Sequence, residues 1–208
     1  MSYKKEIYAK IKDKIIFGDF HPGELLSEKS LADDFDCSRA PIREAFIKLE
    51  SEGLVRIIPK KGTYVSQLSL DDLRENFAVR KHLNKLVGRL SAENATEEQL
   101  DELRGILDEI NETNNYQDLL KLDYDFHRVV HKSTGNQILS DVMEILLTQA
   151  VRIWLFSIDK SSTNLMIPGN LQDIYQSIQE GDQRRTSELL AEHVQVTIDS
   201  IRESLLNL

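Results

Sequence analysis

Ser38-Arg39-Ala40-Pro41-Ile42-Arg43 opens a predicted helix with two arginines four residues apart, so both side chains leave from one face of its first turns. Ser38 stands in front as a candidate N-cap, and Pro41 sits inside the first turn, where a missing N–H costs nothing. Upstream, residues 27–37 (Ser-Glu-Lys-Ser-Leu-Ala-Asp-Asp-Phe-Asp-Cys) read as a short amphipathic helix followed by a tight break. Two short helices, the second beginning with paired arginines, meet the requirement for reading a DNA major groove. A guanidinium grips guanine O6/N7 or a phosphate bidentately, and a helix N-terminus adds a phosphate site of its own. Standing alone, the same pair would read as an ordinary solvated helix face.

The neighbouring segments change that balance. Residues 3–17 carry Ile7, Ile11, Ile15 and Ile16 at helical period, and His21-Pro22-Gly23 turns the chain. Ser27 caps the next helix, although Ser30 replaces the Glu or Gln of a full capping box. The third helix is expected from Ser38 to about Glu52, with Ile42, Ala45, Phe46 and Leu49 inward and Gly53 as its left-handed terminator. Leu54–Ile58 and Thr63–Ser66 then flank Pro59-Lys60-Lys61-Gly62, which predicts a β-hairpin. Three helices and a hairpin make a winged helix-turn-helix, with Lys60 and Lys61 in a wing placed to reach phosphate or the minor groove.

From about residue 70 to 206 only helical periodicity remains. It is broken near 94–96, 111–115, 133–136, 159–170 and 180–183, which predicts about six helices and no strand. The helices at 139–158 and, less fully, 186–206 read as buried on more than one face. The fold class is therefore mainly α: a winged helix-turn-helix over residues 1–68 and an all-helical bundle over 69–208.

Charge divides along the same line. The 208-residue chain has a formal net charge of -9, yet residues 1–66 carry 12 Lys+Arg against 11 Asp+Glu, so the acid is concentrated beyond them. The helical part is expected to face away from nucleic acid, and DNA affinity must rest on a few placed bases. No apolar run approaches the ~18 residues of a membrane helix, and the single cysteine, Cys37, fits a reducing cytoplasm.

The N-terminal pattern resembles the GntR family of bacterial transcription regulators. The resemblance is carried by 17–28 (Phe-Gly-Asp-Phe-His-Pro-Gly-Glu-Leu-Leu-Ser-Glu), Leu31-Ala32, Ser38–Ala45, Leu49–Val55 and Lys61–Val65. It implies operator contacts from Lys29, Arg39, Ala40, Arg43, Lys61 and Gly62. Ala40 departs from the commoner threonine, and Cys37 stands where a valine is usual. The second part looks like the all-helical effector domain of the FadR subfamily in its FCD form, on Arg80, Asp123–Arg128, Gly135-Asn136, Gly181-Asp182 and Glu192-His193. That likeness implies a divalent metal (Zn, Ni or Mn) held by one Asp and three His below an effector pocket. Asp123 and His127, at i and i+4, match two ligands and His193 matches the last, but Leu171 stands where the third histidine is expected.

Three readings of that group stay open: a weakened metal site, a metal-free effector site, and a buried Asp–His pair that only satisfies itself. Arg80 and Arg152 lie on otherwise apolar helices and are candidates to grip an effector carboxylate, with Leu171 as an apolar wall. Arg152 could equally snorkel to solvent. His131 is read as packing or surface. A metal-dependent hydrolase would need a general base that is not evident, and a pure protein-interaction module leaves the arginines and wing lysines unexplained. The expectation is a non-enzymatic, cytoplasmic, homodimeric regulator of double-stranded DNA, controlled by a small organic or sugar acid.

Overall fold

A computed structural model of the chain describes residues 3–157 and 170–206, with backbone alone at Leu70 and 202–206. The break expected at 159–170, Asn170 excepted, and residue 158 lie outside these residues. Contacts divide the chain into Met1–Leu70 and Asp71–Leu208.

The first unit runs α1 (Tyr3–Ile16), β1 (Leu25–Leu26), α2 (Glu28–Asp34), α3 (Arg39–Ser51), β2 (Val55–Ile58) and β3 (Gly62–Val65). Its core joins Ile7, Ile11 and Ile15 of α1 to Ile42, Ala45, Phe46 and Leu49 of α3, as their spacing predicts. Burying each isoleucine, leucine or phenylalanine here contributes about 1.5–3 kcal/mol. Ser27 caps α2 by accepting from the Ser30 N–H at 3.2 Å. Ser38 holds the N-cap position of α3 without a side-chain cap bond, which leaves the amides at that end free of it. The hairpin forms as expected, Ile58 pairing with Gly62 and Val55 with Val65. A two-residue strand at Leu25–Leu26, too short to show a period, adds antiparallel to β3 and gives the order β1-β3-β2. Cys37 packs against this core as a small apolar group.

The second unit runs α4 (Leu70–Asn94), α5 (Glu97–Glu112), α6 (Tyr116–Lys132), α7 (Gln137–Ser157), α8 (Leu171–Gln179) and α9 (Gln183–Leu206), so six helices and no strand are found among its described residues. Thr96 and Gln99 form a reciprocal capping box at α5. The main apolar core joins Val87, Leu103, Phe126, Val130, Met143, Ile174, Ile178 and Leu190. α7 is buried continuously over Ala150–Leu155, but Val142 and Ile145, expected inside, are exposed together with Ile138. Their i, i+3/i+4 spacing makes them one stripe, and α6 and α9 cover the other sides.

α4 and α9 meet where a side chain would not fit. A Cβ on Gly88 would lie 2.6 Å from the Ser187 backbone, and the Ser187 hydroxyl donates to the Lys85 carbonyl at 2.8 Å beside it. Gly105, on the exposed side of α5, has open space around it. Gly88→Ala is expected to lower the unfolding free energy by about 1–3 kcal/mol through overpacking. Gly105→Ala should raise it by about 0.5–1 kcal/mol, both read by urea titration.

Candidate functional site

In the first unit, Lys29 on α2, Arg39, Ala40 and Arg43 on α3, and Lys61 and Gly62 at the wing are all exposed. Arg43 is held: its Nε donates to Glu28 Oε2 at 2.8 Å, across from the start of α2. With Nε engaged, the Nη groups remain to form a fork toward a base or phosphate. One residue along, Glu44 accepts from Lys4 Nζ at 2.7 Å, which ties α3 to α1. Ile47 lies 63 % exposed on the same helix. The wing turns through Lys60 at φ +65°, closed by the Lys61 N–H to Ile58 carbonyl bond of 3.0 Å. A lysine in this left-handed conformation costs about 1–2 kcal/mol relative to glycine, a backbone strain stored at the tip of the wing. Gly62 has φ +118°, a conformation that selects glycine, while a Cβ there would meet only the movable end of the exposed Leu25 side chain. Glu28 escaped sequence reasoning because its partner lies fifteen residues away on another helix.

In the second unit, Asp123, His127 and His193 converge, with one ligand atom of each within 4.8 Å of the others and all three buried. The helical i, i+4 relation brings Asp123 Oδ1 to 3.8 Å from His127 Nε2, and α9 supplies His193, whose Nε2 lies 3.0 Å from His127 Nε2. Asn170, immediately before α8, places Oδ1 at 2.7 Å from His193 Nδ1 and donates its Nδ2 to the Leu189 carbonyl at 3.3 Å. Arg80 of α4 lies over the Phe77 ring at 5.6 Å and interacts electrostatically with Asp123. Arg80 Nε, Asp123 Oδ1 and His127 Nδ1 have no hydrogen-bond partner among the described residues. Arg80, Asp123, His127 and His193 line one cavity of about 20 Å³ with Leu147, Val151 and Trp154.

Burial sets the charge states. It raises the Asp123 carboxyl to about 7 despite the pull of Arg80, and lowers the Arg80 guanidinium to about 10 despite support from Asp123. It lowers His193 to about 3, aided by Arg80, and takes His127 well below the usual imidazole range, aided by His193 and His131. At neutral pH all these imidazoles are unprotonated and offer lone pairs.

The donor set suits a divalent cation. Separations of 3.0 and 3.8 Å between ligand atoms span what two bonds of about 2.0–2.2 Å enclose, and Asp123 Oδ1 is buried without a hydrogen-bond donor. A cavity of about 20 Å³ holds one ion or one water. Leu171 is elsewhere: it is buried in the main apolar core and does not line this cavity. Arg152 is 1 % exposed, so it does not snorkel, and its guanidinium donates to Gln149 Oε1 at 2.9 Å rather than lining the cavity. Burial lowers it to about 10. His131, one turn past His127, is buried and stacks on it at 6.3 Å.

Residues 3–65 match the family described as bacterial regulatory proteins, gntR family, and residues 75–196 match the FCD domain. The chain is 30% identical over 202 residues to the HTH-type transcriptional repressor RspR of Escherichia coli (strain K12), covering 96% of this chain and 89% of that protein. It is 28% identical over 201 residues to the HTH-type transcriptional regulator LutR of Bacillus subtilis (strain 168), covering 85% and 91%. Among solved structures, E. coli McbR/YncC superposes with a TM-score of 0.84 at 20% identity, covering 98% of both chains. A putative GntR regulator from Rhodococcus sp. RHA1 gives 0.77 at 21%, covering 99% and 98%. The chain belongs to the GntR family of transcription regulators and carries an FCD domain; its relatives are regulators, not enzymes. No described helix is long and apolar enough to cross a membrane.

Because burial lowers His131 to about 3, it stays neutral in the folded chain while its unfolded counterpart charges below about 6.5. A lowered folded value means stability is intact above the unfolded pKa and falls as pH drops from about 6.5 toward 3. His131→Leu should flatten that fall by about 1.4 kcal/mol per pH unit in urea titrations with EDTA at pH 4–6.5.

Proposed function

We propose that this regulator binds its operator as a cytoplasmic homodimer through Lys29, Arg39, Ala40, Arg43, Lys61 and Gly62. We further propose that a small organic or sugar acid, bound in the helical domain over a divalent cation at Asp123, His127 and His193, controls that binding. The observation that carries the effector reading is the shared cavity of Arg80 with the Asp-His-His cluster. A buried guanidinium at a cation site recognises a carboxylate that can face both. When bound, the cation would supply Lewis-acid attraction for the effector's oxygen. Asp123, His127 and His193 would hold it, and Arg80 would orient the second carboxylate oxygen. Leu147, Val151 and Trp154 exclude water, which strengthens each of these attractions.

Cavity size makes effector binding a conformational event. About 20 Å³ is far below the roughly 300 Å³ of small-molecule sites, so a sugar acid enters only as the helices around the cavity part. Such a displacement gives the bound and free states different geometry, the requirement for coupling to the spacing of two recognition helices on a pseudo-palindrome. The direct His127–His193 hydrogen bond favours a second reading, a metal-free effector site in which the imidazoles satisfy each other.

Arg43→Ala should weaken operator binding about 10- to 100-fold and leave non-specific DNA binding nearly unchanged. Lys61→Ala should weaken both alike and reduce the salt slope by about one unit, in fluorescence anisotropy at several salt concentrations. Unchanged operator affinity in Arg43→Ala would refute the assignment.

For the cation, elemental analysis and Co(II) titration decide between the two readings. With Asp123 raised to about 7 and His193 lowered to about 3, binding at pH 6 should release about one proton, from Asp123, and affinity should level off above pH 8. Calorimetry in buffers of different ionisation enthalpy reads that proton; none released, or two or more, would contradict it.

A further inference from the structure

We infer that Asn170 is the positioning residue for His193, fixing the proton on its Nδ1 so that its Nε2 always presents a lone pair to the Asp123 cluster. The Leu189 carbonyl only accepts, so the amide nitrogen of Asn170 faces it and Oδ1 faces His193. Oδ1 also only accepts, so at 2.7 Å the His193 Nδ1–H must donate to it. A neutral imidazole has one N–H, which leaves His193 Nε2 bare. In the 3.0 Å contact between the two Nε2 atoms, His127 is then the donor.

The local backbone supports an assigned role. Asn170 occupies the N-cap of α8, where asparagine ordinarily accepts from an amide of the first turn, yet it makes no side-chain cap bond. Its side chain is spent instead on His193 and Leu189, both on α9. Asn170 directly precedes Leu171, the position where a third histidine was expected. The amide does not replace that ligand; it orients one of the two histidines that remain.

The two histidines therefore differ in readiness. For both Nε2 atoms to face a cation, His127 must carry its proton on Nδ1, which has no hydrogen-bond partner among the described residues, whereas His193 needs no change. Partners that orient ligating imidazoles are worth roughly 10- to 100-fold in metal affinity. The inference rests on the cation reading proposed above for its consequence, but the tautomer is measurable without any metal.

The test compares the full-length protein with Asn170→Leu, which removes the acceptor, and Asn170→Asp, which keeps one. Two-bond 1H–15N correlation spectra of the 15N-labelled proteins in EDTA should give His193 as Nδ1–H in wild type and N170D, with that tautomer lost in N170L. Co(II) titration followed by visible absorbance should show N170L about 10- to 100-fold weaker than wild type and N170D at least as tight as wild type, with both variants folded in EDTA by circular dichroism. Should N170L fail to fold, Asn170→Ala, which also lacks an acceptor, supplies the same comparison. An unaltered tautomer and unaltered Co(II) affinity in the variant lacking the amide would overturn the inference. A wild type that binds no Co(II), with the tautomer still following residue 170, would sink the cation reading while supporting the role of Asn170.

Discussion

Desolvation at the centre of the helical unit governs how its functional groups behave. Arg80, Asp123, His127, His131 and His193 come from three helices and are all buried, so water cannot stabilise any charge they carry. The imidazoles respond by staying neutral, while Asp123 and Arg80 each soften the other's desolvation. Such a cluster is costly beside well-packed apolar residues of similar volume, of which the unit's main core is built. Perturbed, converging ionisable groups at a cavity are the physical signature of a binding site. Under the function proposed above, neutral imidazoles with a carboxylate poised near neutrality would receive a cation, and the nearby guanidinium would favour an anionic ligand.

The winged unit works by the opposite economy. It is nearly neutral overall and offers no broad basic patch, so its chemistry depends on where single side chains are held. Glu28 braces Arg43, Lys4 anchors the helix through Glu44, and the hairpin offers its lysines from a turn held in a strained conformation. In the proposed operator complex such bracing would lower the entropy lost on ordering Arg43, which favours specificity over general attraction.

The amino-acid order alone determined the winged helix-turn-helix, the run of helices behind it, the charge division, and the i, i+4 pairing of Asp123 with His127. All of these follow from local periodicity, turn residues and counts, which act over a few residues. His193 was reachable only through family likeness, since nothing local links it to residue 127. Tertiary structure alone decided that Glu28 holds Arg43, that Asn170 rather than Leu171 meets His193, that Arg152 lies off the cavity, and that α7 leaves one stripe exposed. Those outcomes depend on which helices pack together and at what rotation. Pattern along one segment constrains its own faces but not the partner that each face meets.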